Sequence, residues 1–517
     1  MKRLIYLFWG LLLFPGIQLL AGKEVQLNII PDYKGWGWEA LVVENGYIEL
    51  VIIPEIGGRV MYYNFPDDEY MAVNEEMMGR SFDPASNKNG PWAGTWGYGG
   101  YKNWPAPQTW NWPPPPNLCW GPYSYTIEHN VPGDSVVIYL ESVVETTLTP
   151  GLKQARRFHV YPNSTLVRVD QFLINTATAT KNVAVWDITQ AIVQHGNDAD
   201  YEQFSVYFPA SSNHVKKAWG SNFKMKEIDP GVHQFTYTRV EGKYNINLYD
   251  GWCSFVDERD AQSYLKLFGL VDGVTYPDEN SNFEIYSSGG SNYIEIEVLG
   301  PQERIGQNEQ LRLDEFWYAA KIDGPTLRAN HQGAVRDRLM LRTENATISG
   351  TFGLFFTGSM VITGYNETNE VCYESERISF EAGQKVELNL TVNQPEPIAR
   401  LEALVFDSGQ SLAGAIDVWE KEEPNSHRTV SSRPEFRIDP SVCRSGESIR
   451  ISVSDENGTK MSISLHHSGG KKIGATKTVS LASGEARYML PDIPKGIYIL
   501  RIQSGKQTGY RKILIKE

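Results

Sequence analysis

Residues 41–53 read LVVENGYIELVII, and the run continues through residue 63 as PEIGGRVMYY. Apolar side chains alternate on both sides of Asn45-Gly46, a pair that turns the chain tightly. The stretch therefore predicts a β-hairpin followed by a sharp Gly57-Gly58 turn into another strand. Outward from it, the same texture recurs at Ser135–Val144, Thr165–Ile174, Val183–Thr189, Tyr264–Val271 and Asn292–Leu299. Helical periodicity is scarce. Many short strands over some three hundred residues imply an all-β fold of two large packed sheets.

The texture changes near Gly324. Ala346–Leu412 carries strands with closely spaced turns, the cadence of a sandwich of the immunoglobulin or fibronectin class. Lys421–Pro440 is polar and proline-bearing and reads as a linker. The expected organisation is a signal peptide over 1–22, a large β-domain over 23–322, an Ig-like sandwich over 323–420, a linker over 421–440 and a small β-domain over 441–517. Lys2 and Arg3, the apolar run Leu4–Leu20 and the small pair Ala21-Gly22 give the first segment its secretory character.

The chain has 517 residues and a net charge of -14, with no basic stripe, so no nucleic-acid partner is expected from its charge. No segment after residue 22 is apolar enough to span a bilayer, so no membrane span is expected in the mature form. The four cysteines (Cys119, Cys253, Cys372, Cys443) are scattered without CxxC spacing, so neither a metal site nor a required disulfide is expected. No nucleotide or cofactor fingerprint is present.

Pro91–Tyr125 holds six of the fourteen tryptophans among glycines and prolines. Glycine and proline exclude a long helix and interrupt central strands, so the segment reads as an ordered, aromatic-walled loop. Indole faces suit the C–H patches of sugars, and Lys102, Asn103 and Gln108 stand among the rings. The other reading is a plug that forms a small satellite core. Lys102, Trp104, Gln108, Trp110 and Trp112 are the candidate sugar contacts.

Three segments resemble the galactose-mutarotase-like supersandwich: Asn45–Tyr63, Arg156–Gln190, and Tyr293–Pro301 with Leu311–Ala320. The Lys-Asn-Trp-Pro-Ala-Pro-Gln run at Lys102–Gln108, followed by Trp112-Pro113-Pro114, is similar to the bacterial family called domain of unknown function 4380 (DUF4380), over roughly 29–322. The resemblance implies carbohydrate recognition, with aldose-epimerase-like or other sugar-modifying chemistry open. The alternative is a non-catalytic glycan-binding or adhesion protein at the cell surface. The C-terminal block, with Asp492–Tyr498, Gly505 and the strand Arg511–Lys516, closely resembles the sorting domain of type IX secretion cargo in Bacteroidetes. That implies export to the surface or medium and the type IX machinery as a partner.

Opening a pyranose ring needs a base for the anomeric proton and an acid for the ring oxygen. In aldose epimerases a glutamate and a histidine fill these roles. Alternation puts Glu295 and Glu297 on one face of their strand, opposite Ile294, Ile296 and Val298, and makes them the base candidates. Where the family has its histidine this chain has Trp186-Asp187-Ile188-Thr189-Gln190. Asp187 could serve as acid only with a raised pKa. His159 and His195 do not match the motif position. Arg59, after the double glycine, could reach a sugar hydroxyl or a uronate, or pair with Glu55. Trp186, Gln190 and His195 complete the candidate substrate contacts.

Overall fold

The computed structural model describes residues 23–421, apart from 67, 195–199, 272, 394 and 396, and much of 436–516. The expectations for 1–22 and for His195 lie outside the described residues.

Twenty strands between Gln26 and Ala320 form one continuous hydrogen-bonded system, almost entirely antiparallel neighbours. The opening hairpin pairs Ala40–Glu44 with Glu49–Ile53. Its turn is set by Asn45, whose side chain accepts from the Tyr47 and Ile48 N–H groups at 3.0 Å each while donating to the Tyr161 and Ser164 carbonyls at 2.7 Å. Gly46 takes a φ of 74°, which a side chain would strain.

Glu49–Ile53 is buried along nearly its whole length, on both faces. Leu50 and Ile52 enter the main core between the sheets, with Val43, Val60, Val185 and Trp317. Val51 and Ile53 enter a second core on the other face, with Trp38, Trp104, Trp110, Trp120 and Trp186. A strand with a core on each side reads as a continuous apolar run, and ELVII does.

Arg328–Thr391 supplies a four-stranded sheet and Gly358–Glu420 a five-stranded one, which pack around Val335, Phe352, Ile362 and Leu401 as a separate sandwich. In the C-terminal block, Gly496–Ser504 and Gln507–Lys516 form the expected terminal hairpin. The strand Phe436–Asp439 falls inside the stretch read as linker and pairs with Ser448–Val453. Among the described residues no helix is long and apolar enough to cross a membrane.

Candidate functional site

Five adjacent antiparallel strands build one face: Tyr101–Ala106, Lys181–Ile192, Tyr293–Leu299, Phe283–Ser287 and Gly242–Leu248. Register decides which side chains meet. Trp104 lies opposite Trp186, Lys102 opposite Ile188, Ile188 opposite Glu297, and Glu297 opposite Glu284. One pleat along, Gln190, Glu295, Tyr286 and Lys243 stand in a row. Residues in register share a face, so these rows collect two ammonium groups, three carboxyls and several rings on one side of the sheet.

The polar contacts are specific. The Trp186 indole N–H donates to Glu297 Oε2 at 2.6 Å, and Lys243 Nζ reaches the same oxygen at 3.0 Å and Glu284 Oε2 at 2.7 Å. Lys102 Nζ pairs with Glu295 Oε1 at 3.0 Å. The Lys243 ammonium lies 4.5 Å from the Trp186 ring centroid, and that of Lys102 5.1 Å from Trp104. Burial pushes the Glu284 carboxyl up to about 8, with Lys243 opposing and Glu297 adding to the shift. Burial also raises Glu295 against the pull of Lys102. Lys243 is disfavoured as a cation by burial, yet Glu297 and Glu284 together push its proton affinity above the ordinary lysine value.

Among the described residues, Glu284 Oε1 and Glu297 Oε1 are buried with no hydrogen-bond partner. Such acceptors are costly to leave unmade and suit a ligand hydroxyl. Beside them Asp278, Glu279 and Asn280 adopt left-handed φ values of 47°, 62° and 67° in succession. Side-chain amides pin this turn, Asn245 to the Asp278 carbonyl and Asn247 to that of Asn280, each at 3.1 Å. Backbone strain of this kind concentrates at functional sites. The rim carries a chain of rings: Trp96 stacks on Tyr293 at 5.0 Å, Tyr293 meets Tyr286 at 6.0 Å, and Tyr286 meets the exposed Trp219 at 6.0 Å.

The tryptophan loop packs mainly as the plug that was the second reading of it. Gly99 and Gly100 let it enter its strand: a Cβ there would stand 2.1 Å from the Ala72 carbonyl oxygen and 2.2 Å from that of Val60. Trp104, Trp110 and Trp120 are buried in the second core, which covers the half of the face next to Trp186. Most of the loop is therefore a plug. Trp112, 55 % exposed, and Trp96 are its outward-facing rings, and Gln108 is exposed.

Three of the expected placements require correction. Arg59 lines no open cleft and does not meet Glu55. It is fully buried and donates to the Gly99 carbonyl at 2.7 Å and the Cys119 carbonyl at 3.1 Å, so it ties down the loop from beneath. Asp187 faces away from Glu297. Adjacent residues on a strand point to opposite sides, and Asp187 enters the main interior, where Lys266 bonds it and also stands 3.6 Å from Glu315. Burial, then Glu315, holds the Asp187 carboxyl well above its ordinary range, but no face residue shares that interior. Asn103 also points inward, to Gln171 at 3.4 Å. His159 is paired with Asp170 at 3.1 Å, away from the face.

The structure brings together Lys102, Trp104, Trp186, Gln190, Glu295 and Glu297. Glu284, Lys243, Tyr286, Tyr293, Trp96 and Trp219 were missed from the sequence. One signal was available: Phe283–Ser287 precedes the glutamate strand across the short Ser-Gly-Gly-Ser-Asn turn. Hairpin pairing alone would place Glu284 against Glu297.

Comparison with known proteins bears on two parts of the chain. Residues 445–516 match the secretion system C-terminal sorting domain, a tail associated with type IX export to the cell surface or beyond. Similar solved structures include a galactose mutarotase-like protein from Clostridium acetobutylicum, with 12 % identity, 58 % of this chain and 99 % of that one covered, and a TM-score of 0.38. A galactose mutarotase related enzyme from Lactobacillus acidophilus has 12 % identity over 56 % of this chain and 100 % of its own, with a TM-score of 0.37. A galactose mutarotase-like protein from Lactobacillus casei has 10 % identity over 54 % and 99 %, with a TM-score of 0.38. No curated protein matches the chain. Residue roles rest on the geometry above.

Proposed function

We propose that the face bearing Lys102, Lys243, Glu284, Glu295 and Glu297 binds a carbohydrate. The observation that carries this reading is the set of buried carboxyl oxygens without partners beside indole and phenol rings. Hydroxyls can satisfy the former and sugar C–H faces the latter. Calorimetric titration with mono- and oligosaccharides tests it. Lys243→Met and Glu295→Gln each remove charge-assisted contacts and should weaken binding about 10- to 100-fold. Unchanged affinity in both variants would overturn the assignment.

A second reading adds proton exchange to binding, and the protonated state of Glu284 favours it. Glu284 keeps its proton below about pH 8 and stands across the strand pair from Glu297. Glu297 would take the anomeric proton and Glu284 would protonate the ring oxygen, filling the role for which the sequence offered no histidine. Anomer interconversion, followed by NMR exchange spectroscopy, is then lost in Glu297→Gln with sugar affinity retained. In the wild type it declines as pH rises through about 8, where Glu284 loses its proton. Binding without interconversion across the sugar panel selects the non-catalytic reading.

The assignment of 29–322 to the DUF4380 family belongs to the same proposal. So does processing of the tail: mass spectrometry of the secreted protein should find no peptides from 445–516, and their retention would count against cleavage.

A further inference from the structure

A second cavity lies apart from this face. It measures about 680 Å³ and opens beside the Asn45–Ile48 turn. Tyr33, Tyr62 and Asn64 form much of its wall. Five further lining side chains are carboxyls (Glu44, Glu49, Asp68, Glu69 and Asp260), and Lys34 is the one basic lining residue among the described residues. Asp260 also pairs with Arg259 at 3.1 Å, and Glu49 accepts from the Tyr33 hydroxyl at 3.3 Å.

The rings form a partial cage. Trp36 stacks on Tyr62 at 5.9 Å and meets Tyr33 edge-on at 5.2 Å. The Lys34 ammonium stands 4.3 Å from the Tyr62 centroid and 5.5 Å from that of Tyr33. Lys34 has a left-handed φ of 51°, a conformation uncommon for a residue with a side chain. The chain thus places its own cation where aromatic faces and nearby carboxyls favour one. Asn64 supplies a separate indication. It is only 6 % exposed, and its Oδ1 is buried without a partner among the described residues, an acceptor in the cavity wall awaiting an N–H or O–H donor.

We propose that this cavity binds a small primary-ammonium ligand, such as an amino sugar or an aliphatic amine, with the Lys34 ammonium as an internal occupant that the ligand displaces. The ligand's ammonium would sit over Tyr62 and Tyr33, facing Glu49, with one N–H or a neighbouring hydroxyl on Asn64 Oδ1. The site shares no residue with the Glu284–Glu297 face, so either assignment can fail without the other.

The test is calorimetric titration of the full chain at low salt with glucosamine and cadaverine, using glucose and N-acetylglucosamine as uncharged controls. Lys34 is exposed, so Lys34→Met and Lys34→Gln should keep the fold, as melting curves will show. Both variants remove the internal competitor and should bind the two amines about tenfold more tightly than wild type. Glu49→Gln in the Lys34→Met background should reverse the gain, and the response to the uncharged sugars should be the same in these variants as in wild type. The proposal is overturned if folded Lys34→Met and Lys34→Gln bind neither amine. It is overturned equally if Lys34→Met tightens glucose binding as much as it tightens glucosamine binding.

Discussion

Lys266→Met should destabilise the large β-domain by about 3–5 kcal/mol, because it strands buried carboxyls that have lost their cation. Lys266, Asp187 and Glu315 are all fully buried, and Glu315 is otherwise held by the Trp317 indole N–H at 3.0 Å. The loss should depend on pH in a definite direction. Burial and Glu315 already raise the Asp187 carboxyl above its ordinary 3.8, opposed by Lys266. Removing the ammonium raises it further. A carboxyl raised in the folded state stabilises fully below its unfolded value, and that contribution is lost as pH rises through the folded value. The deficit of Lys266→Met against wild type should therefore be smaller at pH 4.5 than at pH 7.5, measured by urea unfolding. An equal deficit at both values would mean that the triad is not the source.

Trp104→Ala is the second large effect, with an expected loss of about 3–5 kcal/mol. Trp104 is 5 % exposed and contacts Trp92, Trp110, Trp112 and Trp186 at centroid distances of 5.4 to 6.3 Å. Its indole N–H also points at Cys119 Sγ, 2.9 Å away. Trp112→Ala, at an exposed ring, should change stability by less than about 0.5 kcal/mol. Thermal unfolding separates the two. If both variants melt together, the loop is not the second core described here. The same pair tests the site: Trp104→Ala should also weaken sugar binding, because Lys102 and Trp186 lose the ring that supports them.

What could be read in advance followed the backbone's shortest periods. The Asn45-Gly46 hairpin, the paired glutamates of Tyr293–Leu299 and the ordered tryptophan loop all depend on neighbours a few residues apart. The misplacements of Arg59 and Asp187 share one cause. Period two shows that Trp186, Ile188 and Gln190 share a face opposite Asp187, but not which face has a core and which a ligand. Here the apolar Ile188 sits on the candidate face, because the second core reaches across it. Lys243 was invisible for a different reason. It lies 54 residues from Glu297, and only the chain of pairings through Phe283–Ser287 brings the two together.

The ring network around Trp104 has an optical consequence. Trp92, Trp104, Trp110, Trp112, Trp120 and Trp186 form a connected set with centroid separations of 5.4 to 6.3 Å. At that range indole transitions couple, so the near-ultraviolet circular dichroism of the whole chain should be dominated by this one cluster. Trp186 at its edge carries the Lys243 ammonium over its ring and the Glu297 carboxyl on its N–H. Its emission should therefore shift whenever charge on that face is moved or neutralised. The protein contains a label-free chromophore reporter, wired to the very carboxyl whose role is in question.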